Sequence, residues 1–286
     1  MAIQRVFVAG AGLMGHGIAQ VHAASGMTVA LYEPDAARAA AGRDRIAANL
    51  DRAVAKSRLH VTDRDAILAR ITATGDLAAA ADANLVVEAV FEDVDVKGAL
   101  WSDLDRIAPP DAIFATNTSS IAIDRLAAAV SEARRPGFVG VHFFSPVPVM
   151  PLIELIRGSA TDDATEGAVR ELAARLEKQV IVSADRPGFI VNRILMPLLG
   201  EAMRAYEQGV GTAEDIDMGA RIGLNHPMGP LALADFIGLD VVLGIMRVLH
   251  EGFGEPQFAP PAVLERLVAE GHLGQKSGRG FHEYSR

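Results

Sequence analysis

Through the first half of the chain, short β-branched runs alternate with alanine-rich stretches of helical period. The pattern predicts strands at Val6–Ala9, Thr28–Tyr32, Ile71–Ala73, Leu85–Glu88, Ile113–Thr116 and Val139–Phe143. Between the first two, Met14, Ile18 and Val21 fall on one helical face, and Gly26 is placed to stop that helix. Alternation of this kind predicts a parallel sheet with helices on both faces. Two further strands, Leu152–Ile156 and Val180–Val182, flank a helix with the apolar stripe Val169, Leu172, Ala173 and Leu176. Asp162, Asp163 and Glu166 suit the positive end of its dipole. After "SADRPGF" the alternation ceases, and the pattern is helical around the apolar stretches Ile190–Leu199 and Leu231–Leu249. The change of texture divides the chain into a first domain over 1–184 and a second, all-α domain over 185–286.

Composition narrows the class without naming it. Half of the residues are hydrophobic and 22% are charged, as in an ordinary globular protein. The net charge of −9 argues against nucleic acid as a partner. With no cysteine there is neither a disulfide nor a thiolate nucleophile or metal ligand, and no His/Asp/Glu cluster has ligand spacing, so no metal is expected. The N-terminal "MAIQRVFVAGAG" does not read as a signal peptide, and no apolar run approaches the ~20 residues that span a bilayer. The expected setting is the cytoplasm, away from membranes.

The segment "VFVAGAGLMGHGIAQ" sets Gly10, Gly12 and Gly15 in G-x-G-x-x-G spacing between a predicted strand and a predicted helix. Glycines there allow a tight turn, a close approach of backbone to a pyrophosphate, and close helix–strand packing. The helix N-terminus, which begins with Leu13 and Met14, attracts the anion. "VALYEPD" places Glu33 at the end of the second strand, where a carboxylate binds ribose hydroxyls and repels a 2′-phosphate. The expected fold class is therefore α/β, a Rossmann-type doubly wound sheet followed by the helical domain, and the expected cofactor is NAD. Arg38, close by in sequence, makes the preference over NADP less than absolute.

One stretch stands apart from this frame. "GVHFFSPVPVMPLIELI" places His142 and Glu154 in an apolar, proline-broken run. Ionisable groups in such surroundings satisfy each other or serve chemistry. The two can meet if "SPVPVMP" reverses the chain between two strands.

Together with "VVEAVFEDVDVK", "NTSSI", "DRPGFIVNR", "GLNHPMGPLALADFIGLD" and "GQKSGRGFHEY", these segments resemble the 3-hydroxyacyl-CoA dehydrogenase family along the whole chain. The likeness is nearest to its short-chain 3-hydroxybutyryl-CoA dehydrogenases. The resemblance implies an NAD-binding domain followed by a helical domain that mediates homodimerisation, with an acyl-CoA as substrate. It implies that His142 is the catalytic acid/base and Glu154 its partner. Ser119 and Asn192 would contact the substrate oxygen, while Glu92, Lys97 and Asn117 would lie by the cofactor. Arg52, Lys56 and Arg58 match the basic residues that hold the CoA nucleotide in the family.

These roles agree with what the reaction needs. A neutral-range base suits removal of the hydroxyl proton, and a carboxylate beside it fixes the tautomer and stabilises the imidazolium. Ser119 follows the fifth strand at its carboxyl end, where doubly wound sheets place ligands. It also sits where a helix would begin, and a hydroxyl there caps a helix. His22, His60, His250, His272 and His282 belong to no constellation and read as structural or surface residues. Two alternatives stay open: a dehydrogenase of a hydroxy acid without CoA, such as a sugar acid or carnitine, and a crystallin-like dinucleotide-binding protein without turnover.

Overall fold

The structure is a computed structural model and describes residues 3–284. The chain divides after Arg186 into two compact units.

The first unit is built on an eight-stranded sheet of order β3-β2-β1-β4-β5-β6-β7-β8. Its strands are β1 (Arg5–Ala9), β2 (Thr28–Tyr32), β3 (Ile71–Thr74), β4 (Leu85–Glu88), β5 (Ile113–Thr116), β6 (Phe138–Phe143), β7 (Leu152–Arg157) and β8 (Gln179–Ala184). All eight strands read from the sequence are present. The first six run parallel, β7 pairs antiparallel with β6, and β8 follows β7 in parallel. The helices are α1 (Leu13–Ala24), α2 (Ala36–Ala55), α3 (Val61–Ala69), α4 (Val94–Ile107), α5 (Ile123–Ala127) and α6 (Asp163–Arg175). Central strands such as β4 are buried on both faces, which is why they read as unbroken apolar runs rather than as alternation. The chain order reverses between β1 and β4, so a crevice for a ligand opens at the carboxyl ends of those strands.

His22, on α1, is fully buried in this core and edges the Phe143 ring at 6.2 Å. Its Nδ1–H donates to the Ile18 carbonyl at 2.7 Å, and Nε2 has no partner among the described residues. Burial is the main cause that lowers its pKa to about 4. The unfolded chain therefore takes up this proton first: stability is intact above about pH 6.5 and falls as pH drops towards 4. The full loss is on the order of 3 kcal/mol. Denaturant midpoints at neutral and acid pH should show a smaller acid loss in His22→Leu than in the parent. Equal losses would exclude His22 as the source.

The second unit contains α7 (Val191–Glu207), α8 (Ala213–Met218), α9 (Pro230–Ile237), α10 (Leu239–Phe253) and α11 (Ala262–Ala269). They pack around a core that includes Met196, Leu199, Leu231, Val242, Met246 and Phe258. The apolar stretch from Leu231 to Leu249 is two helices, broken at Gly238, whose φ of 102° an L side chain rarely adopts. Two acids fasten the C-terminal segment. Asp235 accepts from the Phe281 and His282 amides and from the Tyr284 hydroxyl. Asp217 pairs with His282 Nε2 at 2.7 Å. Among the described residues, no helix is long and apolar enough to cross a membrane.

Candidate active site

The loop after β1 has the geometry its glycines suggested. A Cβ on Gly15 would lie 1.7 Å from the Gly10 carbonyl oxygen, so only glycine lets α1 start this close to the strand. A Cβ on Gly12 would meet nothing within 4 Å, so the backbone is open to an approaching group there. Helix α1 has no side-chain cap and no acid in its first turn, which leaves its N-terminal amides and dipole to an anion. Leu13, at its first position, is exposed, and Met14 is half-buried. Glu33 accepts from the Ala11 amide at 2.8 Å through Oε2, which ties the end of β2 to the loop. An open glycine, an uncapped helix start and a carboxylate just past the end of β2 fit a dinucleotide.

Along the same edge of the sheet, three charges form a chain. Glu88, at the end of β4, is fully buried and accepts from Thr116 Oγ1 at 2.7 Å, the Val90 amide at 2.9 Å and Lys97 Nζ at 2.5 Å. Lys97, on α4 and also buried, lies 3.0 Å from Glu92. Glu92 in turn accepts from the Thr118 hydroxyl at 2.5 Å and from the Ser119 and Ser120 amides at 2.9 and 3.2 Å. Burial opposes the charge on Glu92, but the Lys97 ammonium and these hydrogen bonds outweigh it and hold its pKa below the usual carboxylate range. With its ammonium between two carboxylates, Lys97 sets Glu92, and Glu92 sets the loop that carries Ser119. Ser119 does not cap a helix: α5 begins at Ile123, and the Asp185 carboxylate takes its Ile123 and Asp124 amides at 3.0 and 3.1 Å. The hydroxyl read as a possible cap lies upstream of the helix start, held by Glu92 instead.

His142 and Glu154 face each other across the antiparallel β6–β7 pair. Nδ1 lies 2.7 Å from Glu154 Oε2; because an ionised carboxylate only accepts, Nδ1 carries the hydrogen. Glu154 is fully buried and His142 nearly so. Asn117, at the end of β5, accepts from the Phe143 amide at 2.9 Å through Oδ1, which links the Ser119 loop to the histidine strand. Asn192 is buried in the first turn of α7 in the second unit.

The three basic candidates converge. Arg52 in the last turn of α2, Lys56 at its end and Arg58 just beyond are exposed and line one groove of about 360 Å³. His16 and Gln20 of α1 and the turn from Ser145 to Val149 complete its walls. The Arg52 guanidinium is oriented by Asn49. Glu88, Thr118 and Lys178 are site residues that none of the sequence motifs singles out. An acid ending the apolar run "LVVE" is the same signal that singled out Glu154, so Glu88 was within reach of it.

A dinucleotide-type glycine loop and a buried His–Glu pair between the interior strands β6 and β7 are parts that a nicotinamide-dependent oxidoreductase can use. The comparisons specify the family. Residues 5–186 match the family described as "3-hydroxyacyl-CoA dehydrogenase, NAD binding domain", and residues 188–284 match its "3-hydroxyacyl-CoA dehydrogenase, C-terminal domain". The chain belongs to the 3-hydroxyacyl-CoA dehydrogenase family, and its cofactor is NAD. It is 48% identical over 285 residues to a 3-hydroxybutyryl-CoA dehydrogenase of Mycobacterium tuberculosis, covering 99% of each chain. It is 40% identical to the mitochondrial hydroxyacyl-coenzyme A dehydrogenase of Sus scrofa, covering 99% of this chain and 91% of that one. The crystal structure of (S)-3-hydroxybutyryl-CoA dehydrogenase from Ralstonia eutropha matches with a TM-score of 0.95 and 43% identity, over 100% of both chains.

Proposed function

We propose that this enzyme oxidises short-chain (S)-3-hydroxyacyl-CoA, such as 3-hydroxybutyryl-CoA, to 3-oxoacyl-CoA, reversibly. The buried His142–Glu154 pair on the sheet that carries the glycine loop is the observation that supports the reading most directly. Bound NAD supplies the hydride acceptor. His142 takes the hydroxyl proton on Nε2 during oxidation and returns it during reduction, since Glu154 occupies Nδ1. Glu154 holds the ring in that tautomer and stabilises the imidazolium once it forms. Ser119, held by Glu92, and Asn192 donate to the substrate oxygen, each lowering the barrier by on the order of 2–4 kcal/mol.

Glu33 binds the ribose hydroxyls and favours NAD over NADP, while Arg52, Lys56 and Arg58 hold the phosphates of CoA. We further propose a cytoplasmic homodimer formed through the second unit. That unit exposes Ile194, Val210, Ile222, Leu224 and Phe236, large apolar side chains of the kind a subunit interface buries. NADH formation from 3-hydroxybutyryl-CoA tests the catalytic reading, and its absence in folded protein would overturn it.

A further inference from the structure

The reversal between β6 and β7 contains Pro146, Pro148 and Pro151, which supply no amide hydrogens. Its amides at Val149 and Met150 both turn back to the Pro146 carbonyl, at 2.9 and 3.0 Å. The Val147 and Met150 carbonyls are satisfied from elsewhere: Lys178 Nζ donates to them at 2.8 and 2.7 Å. Lys178 is only 9% exposed. Loss of hydration is the cause that lowers its pKa, and no carboxylate pairs with it among the described residues. A buried ammonium devoted to two carbonyls of one turn is an unusual arrangement.

The backbone aims this side chain. Just beyond α6, Glu177 turns the chain at φ 56°, its amide bonded to the Ala174 carbonyl at 3.1 Å. The Lys178 amide reaches back to Ala173 at 2.8 Å, which completes a Schellman motif. The next amide, of Gln179, donates to Pro151 at 2.7 Å. Residues 178 and 179 thus pin the turn at Val147, Met150 and Pro151. On its other side the turn rests on α1, where a Cβ at Gly17 would come within 2.9 Å of Val147. Between these supports, Ser145 to Val149 form one wall of the groove that Arg52, Lys56 and Arg58 also line.

We propose that Lys178 is a positioning residue for the nucleotide end of the acyl-CoA substrate: it fixes the proline turn as a rigid wall across the groove from the basic residues. The proposal rests on the reading of that groove as the CoA site. It predicts a split between binding and chemistry, because the register that sets His142 against Glu154 is held by the β6–β7–β8 ladder rather than by Lys178.

The test compares 3-hydroxybutyryl-CoA with the N-acetylcysteamine thioester of the same acid, which lacks the nucleotide. Lys178→Met is expected to raise KM for the CoA thioester about tenfold, the scale of losing hydrogen bonds to a charged donor. The change in kcat stays below about threefold, and KM for the truncated thioester is retained. An unchanged KM for the CoA thioester, or an equal rise for both thioesters, overturns the proposal. If Lys178→Met does not fold, Lys178→Ala carries the test: propylammonium should lower its KM for the CoA thioester, and no response to the amine overturns the proposal. The double variant R52A/K56A separates the two readings. If it raises KM for the CoA thioester while Lys178→Met does not, the groove reading stands and the role of Lys178 fails. If it leaves that KM unchanged, the groove reading itself fails and the proposal with it.

Discussion

His142→Gln is expected to lower kcat at least ~100-fold, the scale of losing a positioned general base, with little change in NADH affinity. The reason lies in the geometry. The ring lies 2.7 Å from Glu154 on a strand fixed on both sides by backbone pairing, so replacing it removes a proton acceptor without moving the glycine loop. Glutamine keeps a polar side chain of similar reach but cannot take up and return a proton. NADH titration by fluorescence beside steady-state turnover reads both halves of the expectation. Turnover that survived the substitution would remove His142 from the mechanism.

Glu154→Gln should be nearly as damaging, with a loss in kcat on the order of 10²–10³-fold. The amide can still orient the ring, because its oxygen can accept from Nδ1. What it lacks is the charge that stabilises the imidazolium, and Glu154 lies fully buried where no solvent replaces that charge. The expected signature is lost turnover with KM and thermal stability close to those of the parent. A variant that lost stability but kept turnover would make the pair a structural one.

Much of this site could be read in the sequence because its signals are local. All eight strands follow from short β-branched runs, and the glycine spacing fixes the loop between β1 and α1. The reversal at "SPVPVMP" was legible from its prolines, and the register then sets His142 opposite Glu154. What escaped is held by contacts distant in sequence. The role of Lys97 depends on Glu88, nine positions earlier but on a different element, and the sequence does not reveal that a lysine will be buried between two acids. Ser119 looked able to cap a helix because it precedes one, yet that helix takes its cap from Asp185, more than sixty positions away. Lys178 follows the helix that precedes β8 and reads as an ordinary surface lysine until the fold carries the carbonyls of a distant turn to it. The apolar run from Leu231 to Leu249 gave no sign of two helices except Gly238, and one glycine is weak punctuation.

Oxidation by this enzyme moves a hydride to NAD from C3, the hydroxyl-bearing carbon of an acyl group carried on CoA. It is tested most directly by measuring NADH formation with 3-hydroxybutyryl-CoA beside free 3-hydroxybutyrate, carnitine and a sugar acid, at equal concentrations of enzyme and NAD. NADH is expected to form rapidly with the CoA thioester and only slowly with the free acids. Turnover confined to the free acids would contradict that expectation.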